Sequence, residues 1–520
     1  MRVANHRLFP VFLAAAAAFF ISGCAFYQLR EHPKTDLAKQ PDTTIILHFR
    51  DIQIDLNHVQ LTKVDFTGNV ETAFRTADGP DNDIHSREQA LEAHVYLDSL
   101  RYGNIMPGMA LRIPLGDVNT LKLYDVNTQR MVMVYGGIGV AAALTIIFLA
   151  TKQSCPFIYA CDGSAYGFCG EIFSGAVYPR LERHDYLPLP SLQPVNGSYL
   201  LRITNEVKEV QHVNFMELLA VDHPSDTRAL FDADGVAHTI SSPRPAIACR
   251  APDGSDVLSL TAAADSLSYT SNAARADQVM DSLVFIFNRQ PGAHKARLLI
   301  RAKNSFWLDY VYGRFLDLFG KKIDKWHASR RKLSREQILA WTREQGIPLG
   351  VYVDDGKGWR AARYCDEVGP MALRDIIVPV TFTGNAGDPL RVKLEFGAMF
   401  WEIDQAAIDY SEEQPVAISA ARAVSALDKN GIDVLARISR DDRRYYDQPS
   451  IGDRATVTFG APALSPGMTR TVFLHSKGYY DILRNPVGKP DLACLRQFKK
   501  PGELVRFGGS RLEEMSKGRQ

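Results

Sequence analysis

Three carboxylates beside a tryptophan are the first side chains in this sequence whose types and spacing could do chemistry. Glu402, Asp404 and Asp409 closely follow Trp401. Paired carboxyl groups can act as acid and nucleophile or base in glycoside hydrolysis, and an adjacent ring can stack on a sugar. The same residues also read as strand-end groups. Asp409 recurs as Asp222 in an earlier copy of the same pattern, and a duplication preserves structural positions best. Asn205, Glu206, Asp222 and His223 carry the same two readings, turn and strand-end hydrogen bonding or a polar cleft. The thirteen histidines include no pair at i, i+4, and the sequence holds no G-x-S-x-G, H-E-x-x-H, Walker or strand-following G-x-G-x-x-G motif. No catalytic residue, metal or cofactor is therefore expected. Cys155, Cys161 and Cys169 have five and seven residues between them, not the C-x2-4-C spacing of a structural zinc site. With Cys249, Cys365 and Cys494 they make six cysteines besides Cys24, enough for three disulfides. At least one bridge among Cys155, Cys161 and Cys169 is expected, with free buried thiols as the alternative.

The elements that would carry these residues begin at an export signal. Arg2, His6 and Arg7 precede an apolar run from Leu8 to Phe20, and Ile21-Ser22-Gly23-Cys24 follows at once. That tetrad resembles the lipobox of bacterial lipoprotein precursors. The resemblance covers residues 1–24 and implies cleavage before Cys24, diacylglycerol transfer to its thiol, and stable membrane attachment through two or three chains, palmitate among them. Ala25 in place of Asp leans, by the same resemblance, towards the outer membrane rather than the inner one. Residues 24–42 read as a polar tether, and residues 43–130 hold five short β runs that predict a small barrel or sandwich.

Residues 131–150 contain no charge and, at 1.5 Å per residue, would span about 30 Å, the thickness of a bilayer core. A transmembrane helix is predicted here, and a buried soluble helix is the other reading. Gly136, Gly137 and Gly139 give it a small-residue face suited to a homo-oligomeric contact. Arg112, Lys122 and Arg130 precede the run and Lys152 alone follows it closely, the reverse of positive-inside for a cytoplasmic C-terminal side. The later domains are accordingly expected outside the cytoplasm.

An internal duplication organises the rest. Leu201-Arg202-Ile203 recurs as Leu390-Arg391-Val392, Asp253-Gly254 as Asn430-Gly431, and Pro291-Gly292 as Pro466-Gly467, in the same order. Two antiparallel β-sandwich domains are predicted, 155–304 and 347–483, bridged by a helical hairpin over 305–346 and followed by a polar tail over 484–520. In the hairpin, Leu308, Tyr312, Phe315, Phe319, Ile323 and Trp326 form an apolar stripe, and Ser334 with Gln337 makes a capping box for the second helix. It reads as core, or as a membrane-surface helix beside basic Lys321, Lys322, Lys325, Arg330, Arg331 and Lys332.

Cys155-Pro156-Phe157-Ile158-Tyr159, Asp162-Gly163 and Lys477-Gly478-Tyr479-Tyr480 resemble a family of uncharacterised bacterial envelope proteins, over about residues 136–483. That resemblance brings no activity or ligand. A balance of 60 Lys and Arg against 59 Asp and Glu gives a net charge of +1, which excludes bulk electrostatic binding of nucleic acid. The expectation is a mainly β, membrane-anchored envelope lipoprotein of binding or scaffold type with a protein or glycan partner. An envelope hydrolase using Asp404 and Asp409, or an oligomeric membrane component, are the alternatives.

Overall fold

The computed structural model describes residues 27–34, 37, 44–49, 52–62, 64–75, 83–84, 92–97, 105–106, 108–126, 156–271, 279–354, 356, 358–383 and 388–517. Cys24, Cys155 and the apolar run 131–150 lie outside them. Among the described residues no helix is long and apolar enough to cross a membrane. The chain divides into two units, Met1–Leu144 and Thr145–Gln520.

The first unit is one eight-stranded sheet, built from β1 (Tyr27–His32), β2 (Thr44–Phe49), β3 (Ile52–Leu61), β4 (Asp65–Arg75), β5 (Asp83–Ile84), β6 (Glu92–Leu97), β7 (Ala110–Pro114) and β8 (Val118–Val126). Its order is β5-β1-β8-β6-β2-β3-β4-β7, antiparallel except for β2 against β6. Alternate residues such as Ile45, Leu47, Ile54, Phe66, Val95, Leu111 and Leu121 meet in one core. A single sheet whose one face closes a core on itself must curl. The segment read as a tether contributes β1, which covers the edge of β8 and so satisfies backbone groups that an unpaired edge would leave open.

The second unit is built on strand exchange. Its strands from the first copy are β9 (Phe157–Cys161), β10 (Tyr166–Glu171), β11 (Arg183–Pro188), β12 (Ser198–Thr204), β13 (Glu209–His223), β14 (Arg228–Phe231), β15 (Ala237–Ile240), β16 (Arg244–Pro245), β17 (Ala248–Arg250), β18 (Tyr269–Thr270), β19 (Met280–Phe287) and β20 (Lys295–Asn304). Those from the second are β21 (Leu349–Asp354), β22 (Trp359–Cys365), β23 (Arg374–Thr381), β24 (Leu390–Gly397), β25 (Trp401–Asp409), β26 (Ala417–Asp428), β27 (Tyr446–Gln448), β28 (Arg454–Gly460) and β29 (Thr469–Ile482).

Sheet orders are β10-β9-β12-β28-β26-β13-β29-β11, β16-β25-β20-β23 and β22-β21-β24-β19-β17. The early strands of each copy therefore pair with the late strands of the other: β12 with β28 and β13 with β29, β24 with β19 and β25 with β20. The expected pair of sequence-contiguous sandwiches, 155–304 and 347–483, is corrected accordingly. Each sheet system joins the first half of one copy to the second half of the other. A core between them collects Leu219, Val221, Leu299, Ile377, Ala407 and Phe473 from both. The paired turns keep matching backbones, with φ +81° at Gly254 and +78° at Gly431, a left-handed conformation that favours glycine.

Between β20 and β21 the helical stretch forms α1 (Phe306–Asp317), α2 (Ile323–Arg330) and α3 (Arg335–Glu344). The predicted continuous stripe breaks at Gly320, whose φ is +48° and whose Cα lies so close to the Gly488 carbonyl that a Cβ would stand 2.6 Å from that oxygen. Ser334 and Gln337 close a capping box at the start of α3. After a short α4 (Leu435–Ile438), the segment expected to be a polar tail forms α5 (Leu492–Gln497) and α6 (Glu503–Lys517). Leu504, Val505 and Phe507 of α6 are buried, and the Phe498 ring packs tilted against Phe315 of α1, with centroids 4.6 Å apart. The tail's polar composition concealed a one-sided apolar face.

Candidate functional site

Asp404 and Asp409 do not form a catalytic pair. They lie on one strand five residues apart, roughly 16 Å in extended chain, well past the 5–9.5 Å span used by paired glycosidase carboxylates. Both are fully buried. Asp404 is the extra residue at a bulge between Ile403 and Gln405, and it sits 3.1 Å from Arg301 Nε; burial raises its pKa. Burial works against the Asp409 carboxylate, but it accepts the Ser411 hydroxyl and the backbone N–H groups of Ser411, Ser241 and Ser242, and these bonds outweigh burial and hold its pKa low. Glu402 reaches Lys303 Nζ at 3.2 Å. Asp222 occupies the equivalent place in the other sheet system. It accepts Arg470 Nε at 2.6 Å and Ser465 N at 2.8 Å, and these bonds, Arg470 first, bring its pKa down to about 2. Arg470 stands opposite Asp222, and Arg297 opposite Asp409, in the same register, so each pair ties an early strand of one copy to a late strand of the other.

Asn205 is likewise structural, donating to the Glu209 and Gln448 carbonyls. Glu206 accepts from Thr204 and Tyr159. His223 is buried, with Nε2 2.8 Å from Thr471 Oγ1 and Nδ1 3.0 Å from the Pro224 carbonyl. Among the described residues no group of three His, Cys, Asp or Glu side chains converges to hold a metal.

Cys161 and Cys169 are free thiols, and Cys155 lies outside the described residues. In the β9–β10 hairpin Cys161 pairs with Tyr166, whereas Cys169 is bulged opposite Tyr159 and Ile158. That register separates their Cα atoms by roughly 9 Å, past the ~7 Å limit for a disulfide. Cys249 and Cys365 are buried and free, and burial pushes both thiols up to about 12.

The concave surfaces lie elsewhere, in two adjoining clefts of about 550 and 400 Å3 that share Val368, Arg374 and Asp375. Strand β11 forms one wall, the hairpin β14–β15 a second, and the segment leading into β23 a third. Their chemistry is that of closed guanidinium–carboxylate pairs. Arg374 grips Asp185 with both Nη atoms, and Asp185 also accepts Phe173 N at 2.6 Å. Burial works against that carboxylate, but Arg374 and Arg183 outweigh it and hold the pKa low. Asp375 takes Arg301 at 3.0 Å and Arg228, and Asp234 takes Arg363 at 2.6 and 2.9 Å.

Glu367 is the exception among these carboxylates. Burial, only partly opposed by Arg183, pushes it up to about 7, so it is half-protonated near neutrality. His184 lines the smaller cleft, with Nδ1 2.9 Å from His475 Nε2, while His475 Nδ1 lies 2.9 Å from Glu217 and Tyr186 stacks on the His475 ring at 4.5 Å. Burial and then His475 lower the His184 pKa.

This arrangement can hold a polar ligand by exchange of hydrogen bonds at the arginine pairs and by contact with the Leu187–Leu192 wall. Asp185, Glu367 and Arg374 were missed in the sequence, which carries one local signal: Asp185 sits at an inward-facing position of an alternating strand, where an apolar residue is the norm. No protein-family model and no curated protein matches this chain.

Proposed function

We propose that this protein is a lipid-anchored cell-envelope protein that binds rather than transforms its ligand, a protein segment or glycan of the envelope, in the double cleft around Arg374 and Asp375. The observation that carries this reading is the state of the cleft's charged groups. Six of the seven arginines that line the clefts have carboxylate partners already in place, a surface suited to recognition, and the lining hydroxyl that meets a histidine, Thr471 Oγ1 at 2.8 Å from His223 Nε2, links β29 to β13 through a ring that is only 2% exposed. Cys169 on the rim has its thiol pKa raised by burial, the wrong direction for a nucleophile.

The lipobox resemblance at Cys24 supplies the anchor, with the outer membrane favoured, and the charges flanking 131–150 favour a non-cytoplasmic second unit. Two experiments test these parts separately. Replacing Cys24 with Ala should abolish palmitate labelling and leave an unprocessed or soluble chain; a variant that fractionates like wild type overturns the anchor. Alkylating Cys169 with a bulky maleimide should block retention on immobilised envelope glycan or protein while the protein leaves the glycan uncleaved. Cleavage of the glycan would overturn the binding reading.

A further inference from the structure

A further concave surface, sharing no lining residue with the clefts, lies between the Phe319–Ser329 stretch and α5. It is an open groove of about 410 Å3. Phe319, Trp326, Pro490, Leu492 and Leu495 form its floor, and Leu492 is 53% exposed. Lys322, Lys325, Arg496 and Lys499 stand around it, and no acidic side chain lines it. All four cations are exposed, and among the described residues none has an ion-pair or cation–π partner. Elsewhere in the unit Lys303 pairs with Glu402, Lys393 with Glu395, Lys429 with Asp453 and Lys477 with Asp441, whereas the groove brings four unpaired cations together. Two aspartates lie close in sequence, neither lining the groove: Asp491 is engaged as the α5 cap, accepting Cys494 N at 2.9 Å, and Asp324 is exposed on α2. Lys321, Lys489 and Lys500 add to the same sign in the flanking sequence. A chain of net charge +1 thus gathers unpaired positive charge around one apolar floor.

We propose that this groove binds an anionic phospholipid, the phosphate seated among Lys322, Lys325, Arg496 and Lys499 and the first acyl carbons lying on Phe319, Trp326 and Leu492. Four like charges repel one another until an anion joins them, and each basic side chain near an anionic lipid surface strengthens attachment. The floor decides the kind of anion. A free phosphate has no use for exposed leucine and aromatic surface, whereas an amphiphile covers both halves of the groove, with tryptophan at the boundary where its polar edge stays wet. Lysine and arginine stems can lie along the same apolar floor while their charged heads reach the phosphate.

The test uses the full-length protein in a non-ionic detergent, titrated calorimetrically with dihexanoyl phosphatidylglycerol below its micelle concentration. Binding should saturate, weaken with added salt, and exceed that of dihexanoyl phosphatidylcholine by about tenfold or more. Arg496→Glu with Lys499→Glu should reduce it by a similar factor, and Lys322→Ala with Lys325→Ala, removing charge without reversal, should weaken it to a smaller extent. Among the described residues these side chains make no hydrogen bond, ion pair or ring contact, so the melting temperature should change little. Equal affinity for the two head groups, unchanged binding in both double variants, glycerol phosphate binding as tightly as the lipid, or a Glu-rich peptide binding more tightly would each overturn the proposal. Binding should persist in the Cys24→Ala chain, so the groove and the lipid anchor fail independently.

Discussion

At the residue scale, the side chains that looked most chemical are the ones most completely used for structure. Asp222 and Asp409 each accept backbone N–H groups from a loop and face an arginine on a strand of the other copy. Removing one partner leaves the other charge buried, so Asp222→Ala should cost about 3 kcal/mol of stability in urea unfolding. The pH dependence follows from the direction of the shift. The folded-state pKa of Asp222 is about 2, below its unfolded value, so the stabilisation is complete above about pH 4 and is lost as pH falls towards 2. Wild type should therefore lose stability over that interval more steeply than Asp222→Asn.

Glu367 behaves oppositely. Its pKa of about 7 means that the folded state favours the protonated acid, a stabilisation present below the unfolded value and lost as pH rises through 7. Glu367→Gln should raise the melting temperature at pH 8 and change it little at pH 4.5. A lower melting temperature at pH 8 would show that the ionised carboxylate is needed there.

At the element scale, the helices between the copies and those at the C-terminus form one aromatic cluster. Phe315 is 2% exposed and its ring meets those of Phe319, Trp326, Trp341 and Phe498 at 4.6 to 5.7 Å. Phe315→Ala should cost about 3–5 kcal/mol. Removing Asp491–Gln520 should expose the same surface and give a chain that binds a hydrophobic dye and aggregates. If residues 484–520 were a solvated tail, the truncated chain would melt like wild type. The periodic stripe located the core face of this helical region, and Ser334 with Gln337 marked the start of α3, because both signals are local. The break at Gly320 was not legible, since it is imposed by the Gly488 carbonyl from far along the chain. The cleft residues were obscured for a similar reason: Asp185 and Arg374 are 189 positions apart and meet only when β11 and β23 are brought together.

At the scale of the whole molecule, strand exchange makes the two copies inseparable. Residues 155–304 or 347–483 produced alone should lack a cooperative unfolding transition, because each would expose strands whose partners belong to the other segment. Produced together, the two should regain native-like spectra; independent folding of either would contradict the exchange. The amino-acid sequence by itself determined the β character, the turns at Gly254 and Gly431 and the capped helix, since each follows from period-two alternation, glycine stereochemistry or a cap spanning a few residues. Tertiary structure alone decided which copy's strands pair, that β1 and the C-terminal helices belong to folded units, and that the unpaired cations of two distant segments share one groove. A duplicated pattern makes a strand equally complementary to its own copy and to the other, and only chain connectivity and the packing of the connecting segments remove that degeneracy.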